Sequence, residues 1–151
     1  MIYQMQPLTD EFIAEVVPLL DEHYVELAPF KDIPLRPDWE RYKLLSDSNI
    51  FRIFTARTSE GMLAGYASFF VQPHMHYVSS VVAACDVFYM TRAHRAMMMA
   101  AKNFIEYCDA ELKELGVELV VHRYKIAQPA LGKLIKMVGY RDNEISAIRR
   151  L

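Results

Sequence analysis

The stretch that decides the fold runs from Val81 to Gly116 and reads VVAACDVFYM, TRAHRAMMMA and AKNFIEYCDAELKELG. Its first part is apolar and rich in Val, Phe and Tyr, which is typical of a central strand buried on both faces. Its last part has apolar residues at helical spacing and charged residues on the opposite side, which predicts an amphipathic helix. Gly116 follows the last apolar position, where a C-cap glycine belongs. We therefore predict a strand over 81–91 followed by a long helix.

The joint between this strand and this helix is basic. It contains Arg92, His94 and Arg95 and no acidic residue. A helix start presents unpaired backbone N–H groups and the positive end of the helix dipole, so the joint predicts a phosphate site, with Arg95 beside the amides of residues 96–100. The other interpretation of Arg95 is a solvated arginine. A cation at the start of a helix is repelled by the positive end of the helix dipole. We therefore favour the interpretation in which Arg95 contacts an anionic ligand.

The flanking sequence predicts a sheet that is antiparallel in its first half and parallel in its second. Pro18 predicts a kink or a break in the first helix, and Gly65 predicts a bulge or a close backbone approach. The order strand, helix, strand after residue 81 predicts a parallel crossover, so the fold class is α/β with a mixed sheet. The predicted strands cover 2–6, 51–58, 62–72, 81–91, 117–123 and 145–151, and the predicted helices follow Thr9, cover about 38–45 and begin at Pro129.

Length and composition limit the function classes. The chain has 151 residues, and we expect one domain over 1–151. The net charge of −2, from 17 basic and 19 acidic residues, disfavours binding to nucleic acid or to an anionic membrane. No stretch approaches the roughly 20 apolar residues of a membrane span, and the start lacks the features of a signal peptide. Cys85 and Cys108 lie in apolar patterns without a C-x-x-C pair, so we expect reduced core thiols and a cytoplasmic protein.

Asp86 is the only acid within the apolar strand. A buried lone carboxylate is costly, so Asp86 predicts either a general base whose pKa is raised by burial or a structural acid bonded to backbone, Tyr, Arg or His. Asp86 has the same parity as Phe88 and Met90, which predicts one shared sheet face. His74 and His76 also alternate by two, but no third ligand accompanies them, and we predict no metal site.

Two motifs resemble the GCN5-related N-acetyltransferases. That family has Gln/Arg-x-x-Gly-x-Gly/Ala after its fourth strand, and many members end with Asn-x-x-Ala-x-x-Phe-Tyr-x-x-x-Gly-Phe. The second motif aligns with the residues from Gln128 to Tyr140, where Gly139 and Tyr140 match Gly-Phe. In the first motif, methionine replaces the middle glycine, while the first and last positions fit. The aligned residues are Arg95, Ala96, Met97, Met98, Met99 and Ala100.

The resemblance implies acetyl-CoA as cofactor, bound in a wedge between the fourth strand (81–91) and the fifth (117–123). Backbone groups of Phe88 and Met90 would bond its pantetheine arm, and the six motif residues would surround its pyrophosphate. Methionine at 98 would crowd the phosphates where the family's glycine lets the backbone approach. The cofactor-binding residues implied are therefore Phe88, Tyr89, Met90, Arg95, Ala96, Met97, Met98, Met99, Ala100 and Gln128.

The resemblance also implies an activity, the transfer of acetyl to a primary amine of a protein, a peptide or a small molecule. Asp86 would act as general base, and the region 23–39, rich in aromatic residues and prolines, would cover the acceptor site; ordinary packing is the other interpretation of that region. The family's tyrosine acid aligns with Ile135, which cannot donate a proton. The alternative is a catalytically degenerate protein on this fold that binds CoA or a partner protein, with a homodimer as one form. As a short single-domain chain, the protein also resembles the acetyltransferases carried by bacteriophages.

Overall fold

The computed structural model describes residues 1–126 and 128–150. Its five strands form one sheet in the order β1-β2-β3-β4-β5, in which only the β4–β5 pair is parallel. The predicted mixed sheet with a parallel second half is confirmed. The elements are β1 Ile2–Gln6, α1 Asp10–Leu27, α2 Trp39–Asp47, β2 Phe51–Arg57, β3 Leu63–His74, β4 Tyr77–Met90, α3 Arg92–Arg95, α4 Met98–Glu114, β5 Leu119–Val121 and α5 Pro129–Val138.

The helices cover the two faces of the sheet separately. On one face, α1 and α2 pack against alternate residues of β2 to β4, and on the other face α4 packs against the intervening residues. α5 lies against α4 and closes a third cluster around Ile105 and Ile135. Cys85 and Cys108 are buried free thiols between the sheet and α4, as predicted. Each face of the central strands is therefore buried, which explains their continuous apolar pattern.

The predicted helix ends are confirmed by their hydrogen bonds. The Thr9 hydroxyl accepts from the Phe12 N–H at 3.2 Å, and the Asp38 carboxylate accepts from the Arg41 N–H at 3.1 Å. Gly116 and Gly139 follow α4 and α5 with φ of +82° and +114°, a conformation that glycine adopts at low cost. The break predicted as one outcome at Pro18 does not occur, since α1 continues through it to Leu27.

Three predicted boundaries are wrong. The predicted connection over 73–80 belongs to the sheet, because β3 runs to His74 and β4 begins at Tyr77. β5 is shorter than predicted and covers Leu119–Val121. The predicted last strand over 145–151 is absent from its described residues, where Ile145 and Ile148 are 90% and 74% exposed and pair with no strand. Leu151 lies outside the described residues.

A β-bulge in β4 corrects the predicted face of Asp86. Ser68 pairs with Val87 and Phe69 pairs with Cys85, so Asp86 is the extra residue between them. The bulge breaks the alternation, and Asp86 joins Val87 on the α1/α2 face, whereas Phe88 and Met90 pack toward α4 and α5. The prediction that Asp86, Phe88 and Met90 share a face is therefore wrong.

The close backbone approach predicted at Gly65 is confirmed. A Cβ at this position would lie 2.8 Å from the carbonyl oxygen of Tyr89. The absence of a side chain at Gly65 therefore lets β3 and β4 run close together beside the bulge. None of the described helices combines the length and the apolar composition needed to cross a membrane.

Candidate functional site

The parallel strands β4 and β5 separate after a short contact. They pair only where Val82–Ala84 meets Leu119–Val121, and beyond this point β4 continues to Met90 while the chain after Val121 leaves the sheet. The Thr91 N–H donates to the Ala64 carbonyl of β3 at 2.9 Å. Because alternate residues of a strand direct their backbone groups to opposite edges, the N–H and C=O groups of Phe88 and Met90 point into the gap between β4 and β5. We call this gap the wedge.

Tyr89 points away from the wedge. Its side chain is 3% exposed, its hydroxyl donates to the Glu22 carboxylate at 3.1 Å, and its ring stacks on His23 with 4.9 Å between centroids. Its backbone is paired with Tyr66 of β3. Three residues of β4 were predicted to contact a cofactor. The backbone groups of Phe88 and Met90 point toward the wedge, and those of Tyr89 do not.

The basic joint at the end of β4 contains a carboxylate that comes from α1. Arg95 forms two hydrogen bonds with Glu26, at 2.5 and 3.0 Å, and also donates to the Met90 carbonyl at the end of the wedge. Arg92 lies 3.6 Å from the same Glu26 carboxylate. These cations lower the pKa of Glu26, the hydrogen bond from Arg95 contributing most. The local sequence could not reveal this acid, because Glu26 is distant in the chain.

The motif segment is divided between two helices. Arg95 ends the four-residue α3, Ala96 follows it, and Met97 is the N-cap of α4 without a side-chain hydrogen bond. Met97, Met98 and Met99 are 56%, 56% and 61% exposed. Of the predicted phosphate-binding amides of residues 96–100, three already have partners: the Ala96 and Met97 N–H groups donate to the His94 carbonyl, and the Ala100 N–H donates to the Met97 carbonyl at 2.8 Å. The N–H groups of Met98 and Met99, in the first turn of α4, stay available to a ligand. The Ala100 carbonyl accepts from the Tyr3 hydroxyl at 2.9 Å, which attaches the start of α4 to β1.

A cavity of about 500 Å³ lies between the sheet and α1, α2 and the segment that joins them. This segment, residues 28–37, forms one wall, and the Tyr24 hydroxyl donates to the Lys31 carbonyl at 3.1 Å to hold it. The region 23–39 therefore lines a cavity. The lining is Leu8, Phe12, Val16, Leu20, His23, Tyr24, Leu27, Ala28, Pro29, Phe30, Ile33, Pro34, Leu35, Arg36, Pro37, Trp39, Tyr42, Phe51, Ile53, Tyr66, Ser68, Asp86, Val87 and Lys125.

Asp86 is the only carboxylate in this lining. The bulge brings it into the cavity, where its side chain is exposed at the wall. Partial loss of hydration raises the pKa of its carboxyl, and the charge of Arg123 acts in the opposite direction. No described residue donates a hydrogen bond to the Asp86 carboxylate. A carboxylate with a raised pKa and a free lone pair at a cavity wall can accept a proton from a bound ligand.

Two histidines have lowered pKa values: His23, which opens the predicted 23–39 region, and His122, which the sequence analysis did not single out. In the cavity, His23 Nδ1 lies 3.2 Å from the Tyr66 hydroxyl, and burial lowers its pKa to about 4, with Lys125 adding to the effect. His122 follows β5 and has its ring against Phe88 and Tyr140, with centroids 6.3 and 4.9 Å away. Burial lowers its pKa to about 4, and neither ring nitrogen has a partner among the described residues. Its alternation with Val120 in the predicted strand was the available signal.

Comparison with solved structures identifies the fold. The chain is 20% identical to the ribosomal-protein-alanine N-acetyltransferase of Brucella melitensis biovar Abortus 2308, with 100% of both chains covered and a TM-score of 0.73. It is 16% identical to an aminoglycoside acetyltransferase from an uncultured soil metagenomic sample, solved with sisomicin, with 99% of this chain and 95% of that chain covered and a TM-score of 0.76. The fold is that of the GCN5-related N-acetyltransferases.

Fold similarity at this identity does not establish an activity. A transcriptional regulator from Bacillus halodurans C-125 also matches, with 14% identity, 99% and 100% of the two chains covered, and a TM-score of 0.77. No protein-family model matches the sequence, and a search of curated proteins finds no match. The chemistry of the site is therefore what points to a function.

Ile135, which aligns with the family's tyrosine acid, lies with Tyr124 and Tyr140 in the cluster between α4 and α5. Ile135 is 3% exposed in the core between α4 and α5, so no hydroxyl reaches the wedge from this position. The Tyr124 hydroxyl donates to Asp142 at 2.6 Å, and the Tyr140 hydroxyl donates to Asp109 at 2.5 Å. Burial raises the pKa of Tyr140, and the hydrogen bond to Asp109 adds to the effect. Both phenols are therefore bound by carboxylates.

The remaining predicted residues do not line the cavity. Gln128 occupies the N-cap position of α5 without a side-chain cap, and its N–H donates to the Lys125 carbonyl at 2.8 Å. At the β3–β4 turn, His74 Nδ1 accepts from the His76 N–H at 3.1 Å. Within residues 1–126 and 128–150, no three His, Cys, Asp or Glu side chains gather as a metal site would require.

Proposed function

We propose that this protein is an N-acetyltransferase that moves an acetyl group from acetyl-CoA to a primary amine by direct attack. The observation that carries the proposal is the position of one carboxylate. Asp86 lies in the cavity at the bulge, two residues before Phe88, whose backbone groups point into the wedge. The cavity is bounded by Asp86 and Val87 of β4 and by Lys125 of the chain that follows β5, so it reaches β4 beside the wedge.

The residues around the wedge fit acetyl-CoA. The backbone groups of Phe88 and the Met90 N–H suit an extended amide chain, which would add to the edge of β4 as a further strand does, while the Met90 carbonyl is bonded by Arg95. The start of α4 offers N–H groups at the positive end of a 17-residue helix, and Arg92 and Arg95 supply positive charge beside it. Met97 to Ala100 would surround the pyrophosphate, and Gln128 would border the site from α5. Acetyl-CoA would supply an acetyl thioester, which an uncharged amine attacks.

Asp86 would act on the acceptor. An amine is mostly protonated at neutral pH, and its ammonium must lose a proton before nitrogen can attack. The raised pKa of Asp86 makes its carboxylate a better base than an exposed aspartate. One C–N bond forms and one C–S bond breaks, and the electron pair of the C–S bond leaves on the thiolate. The ammonium loses one proton to Asp86, directly or through water, before the attack, and the nitrogen loses a second proton to solvent as the amide forms. A thiolate is stable enough to leave unprotonated, which fits isoleucine at position 135.

The first experiment measures acetyl-CoA binding by calorimetry and by the melting temperature of the full chain. We expect binding heat and a higher melting temperature, because a ligand that binds only the folded state stabilises it. Arg95→Ala should weaken binding, and Arg41→Ala, which removes an exposed arginine of α2, should not. Binding without thiol release in the presence of amines would favour a CoA-binding module. Absence of binding at millimolar acetyl-CoA would favour the protein-interaction alternative, with a homodimer as its first test.

A further inference from the structure

The cavity beside Asp86 has a chemical character that narrows the class of acceptor. Its wall is built mainly from apolar and aromatic side chains, and its volume of about 500 Å³ is in the range of sites for small molecules. Rings approach it from α1, α2, the 28–37 segment and the sheet, so a flat or branched apolar body would be surrounded. These rings belong to Phe12, Phe30, Trp39, Tyr42, Phe51 and Tyr66.

The charges of the cavity disfavour a polycation. Asp86 is the only carboxylate in the lining, whereas Arg36 and Lys125 are both basic. Lys125 Nζ donates to the Leu27 carbonyl, so this cation is fixed at the edge of the cavity. An acceptor with several ammonium groups would have one anionic partner and two repelling cations. An acceptor with a single ammonium group would pair with Asp86, and its uncharged body would not be repelled by Arg36 and Lys125.

Two tyrosines lie near the carboxylate. The Asp86 charge adds to the raised pKa of both Tyr42 and Tyr66, although burial is the larger cause for each. Tyr66 is held by its contact with His23, and the Tyr42 ring packs 4.9 Å from the Phe51 ring centroid. An ammonium group beside Asp86 would therefore also meet aromatic faces, which attract cations.

From this arrangement we infer that the acceptor is a compact primary monoamine with an apolar or aromatic body. The ammonium group pairs with Asp86, and the body occupies the space between Trp39, Phe12 and the 28–37 segment. This inference rests on the proposed function, since it names the acceptor of that reaction. It predicts that phenethylamine is bound and acetylated better than ethylamine, which lacks the body, and better than spermidine or sisomicin, which carry several ammonium groups.

The test combines calorimetry with thiol-release kinetics on the full chain. We expect kcat/KM for phenethylamine to exceed that for ethylamine, spermidine and sisomicin by at least about tenfold, the usual worth of one buried apolar group in a specificity pocket. Trp39→Ala should raise KM for phenethylamine about tenfold and leave acetyl-CoA binding unchanged. Leu44→Ala is the matched control, because Leu44 is on the same helix, 68% exposed and outside the cavity. Ile33→Ala, in the half-exposed cavity wall, should weaken phenethylamine binding without affecting the core.

The outcomes separate this inference from the proposed function. Higher efficiency with spermidine or sisomicin would overturn the monoamine inference while acetyl transfer stands. Phenethylamine binding that is lost in Trp39→Ala and Ile33→Ala, without any acetyl transfer, would support the cavity assignment and remove the proposed function. Failure of phenethylamine to bind the parent chain, or equal losses in Trp39→Ala and Leu44→Ala, would overturn the inference.

Discussion

Arg95 and Glu26 form a two-point ion pair that joins the basic strand-to-helix joint to the C-terminal part of α1. The distances are 2.5 Å from Nη1 to Oε1 and 3.0 Å from Nη2 to Oε2, and the side chains are 40% and 21% exposed. The arginine predicted to meet phosphate is therefore held by a carboxylate. An anionic ligand at the joint must compete with Glu26 for the same guanidinium N–H groups.

Glu26→Gln tests this competition. Removing the carboxylate charge frees Arg95 and makes the joint more positive, so we expect acetyl-CoA to bind up to about fivefold more tightly, the effect of a partly exposed ion pair. Calorimetry at low salt measures the change. Glu22→Gln is the control, because Glu22 lies on the same helix and bonds Tyr89 rather than Arg95. Weaker binding in Glu26→Gln would mean that Glu26 positions Arg95 for the phosphate instead of competing for it.

Met98→Gly tests the motif position directly. If the exposed Met98 side chain crowds the phosphate site, glycine should tighten acetyl-CoA binding even though it costs the helix up to about 1 kcal/mol. Met99→Gly is the matched control, because Met99 is the next residue and is similarly exposed. The variants are compared by calorimetry and by melting temperature without ligand. A folded Met98→Gly protein with weaker binding would show that the alignment is out of register or that the methionine makes a useful contact.

The parts of the fold predicted from the sequence depend on local physics. Thr9 begins α1 with a side-chain hydrogen bond, and Gly116 and Gly139 follow the ends of α4 and α5 with a positive φ. The residue types at these positions are therefore enough to predict the helix boundaries. The apolar run of β4 predicts a strand that is buried on both faces, as a central strand of a sheet covered by helices is. The strand predicted over 145–151 is absent because its β-branched residues, Ile145 and Ile148, find no partner strand. β-Branched side chains favour a strand, but strand formation also requires a neighbouring strand to pair with.

The candidate site was predictable only in part. Asp86 was found because an acid in an apolar strand is costly, but its face was wrong, since a bulge leaves no clear mark in one sequence. Glu26 and His23 lie in the predicted 23–39 region, but their partners, Arg95 and Tyr66, could not be predicted because they are distant in the chain. The wedge followed from the family resemblance, whereas the shortness of β5 required coordinates. Local rules thus identified the residues with unusual chemistry, and tertiary packing determined their partners.

The buried histidine His122 should make the fold sensitive to acid. Its pKa is lowered to about 4 in the folded state from an ordinary value near 6.5, so the unfolded chain binds a proton first as the pH falls. Above about pH 6.5, His122 is uncharged in both states and does not lower the stability of the fold. As the pH falls from there to about 4, the free energy of unfolding decreases by at most about 1.4 kcal/mol per pH unit. His122→Phe, which keeps a ring among Phe69, Phe88 and Tyr140, should raise the melting temperature at pH 5 relative to the parent and change it little at pH 8.

Two comparisons control this prediction. His23 has a similarly lowered pKa, so His122→Phe should remove only part of the acid sensitivity. His76→Asn changes an exposed histidine in the β3–β4 turn and should leave the melting temperature unchanged at both pH values. A gain of equal size at pH 5 and pH 8 would attribute the effect to packing and not to protonation.

Asp86→Asn separates chemistry from architecture. The pKa of Asp86 is raised in the folded state, so its favourable contribution is present at low pH, below its unfolded pKa, and is lost as the pH rises through the folded value. Asparagine is uncharged, so it avoids the cost of a charged carboxylate that has lost part of its hydration. No described residue donates a hydrogen bond to the carboxylate, so none loses a partner. We therefore expect the melting temperature at pH 7 to stay equal or rise slightly. Acetyl-CoA binding, measured by calorimetry, should be almost unchanged.

Turnover of the same variant should fall by roughly 10² to 10⁴, the usual worth of a general base. In the parent, activity should rise with pH as the Asp86 carboxyl ionises through its raised pKa. In Asp86→Asn, this step should disappear, and higher pH should partly restore turnover because more of the amine acceptor is already uncharged. Asp47→Asn, at the exposed end of α2, is the control and should keep the parent profile. Parent-like activity in a stable Asp86→Asn protein would remove Asp86 from the mechanism and leave proximity and backbone polarisation as the whole source of catalysis.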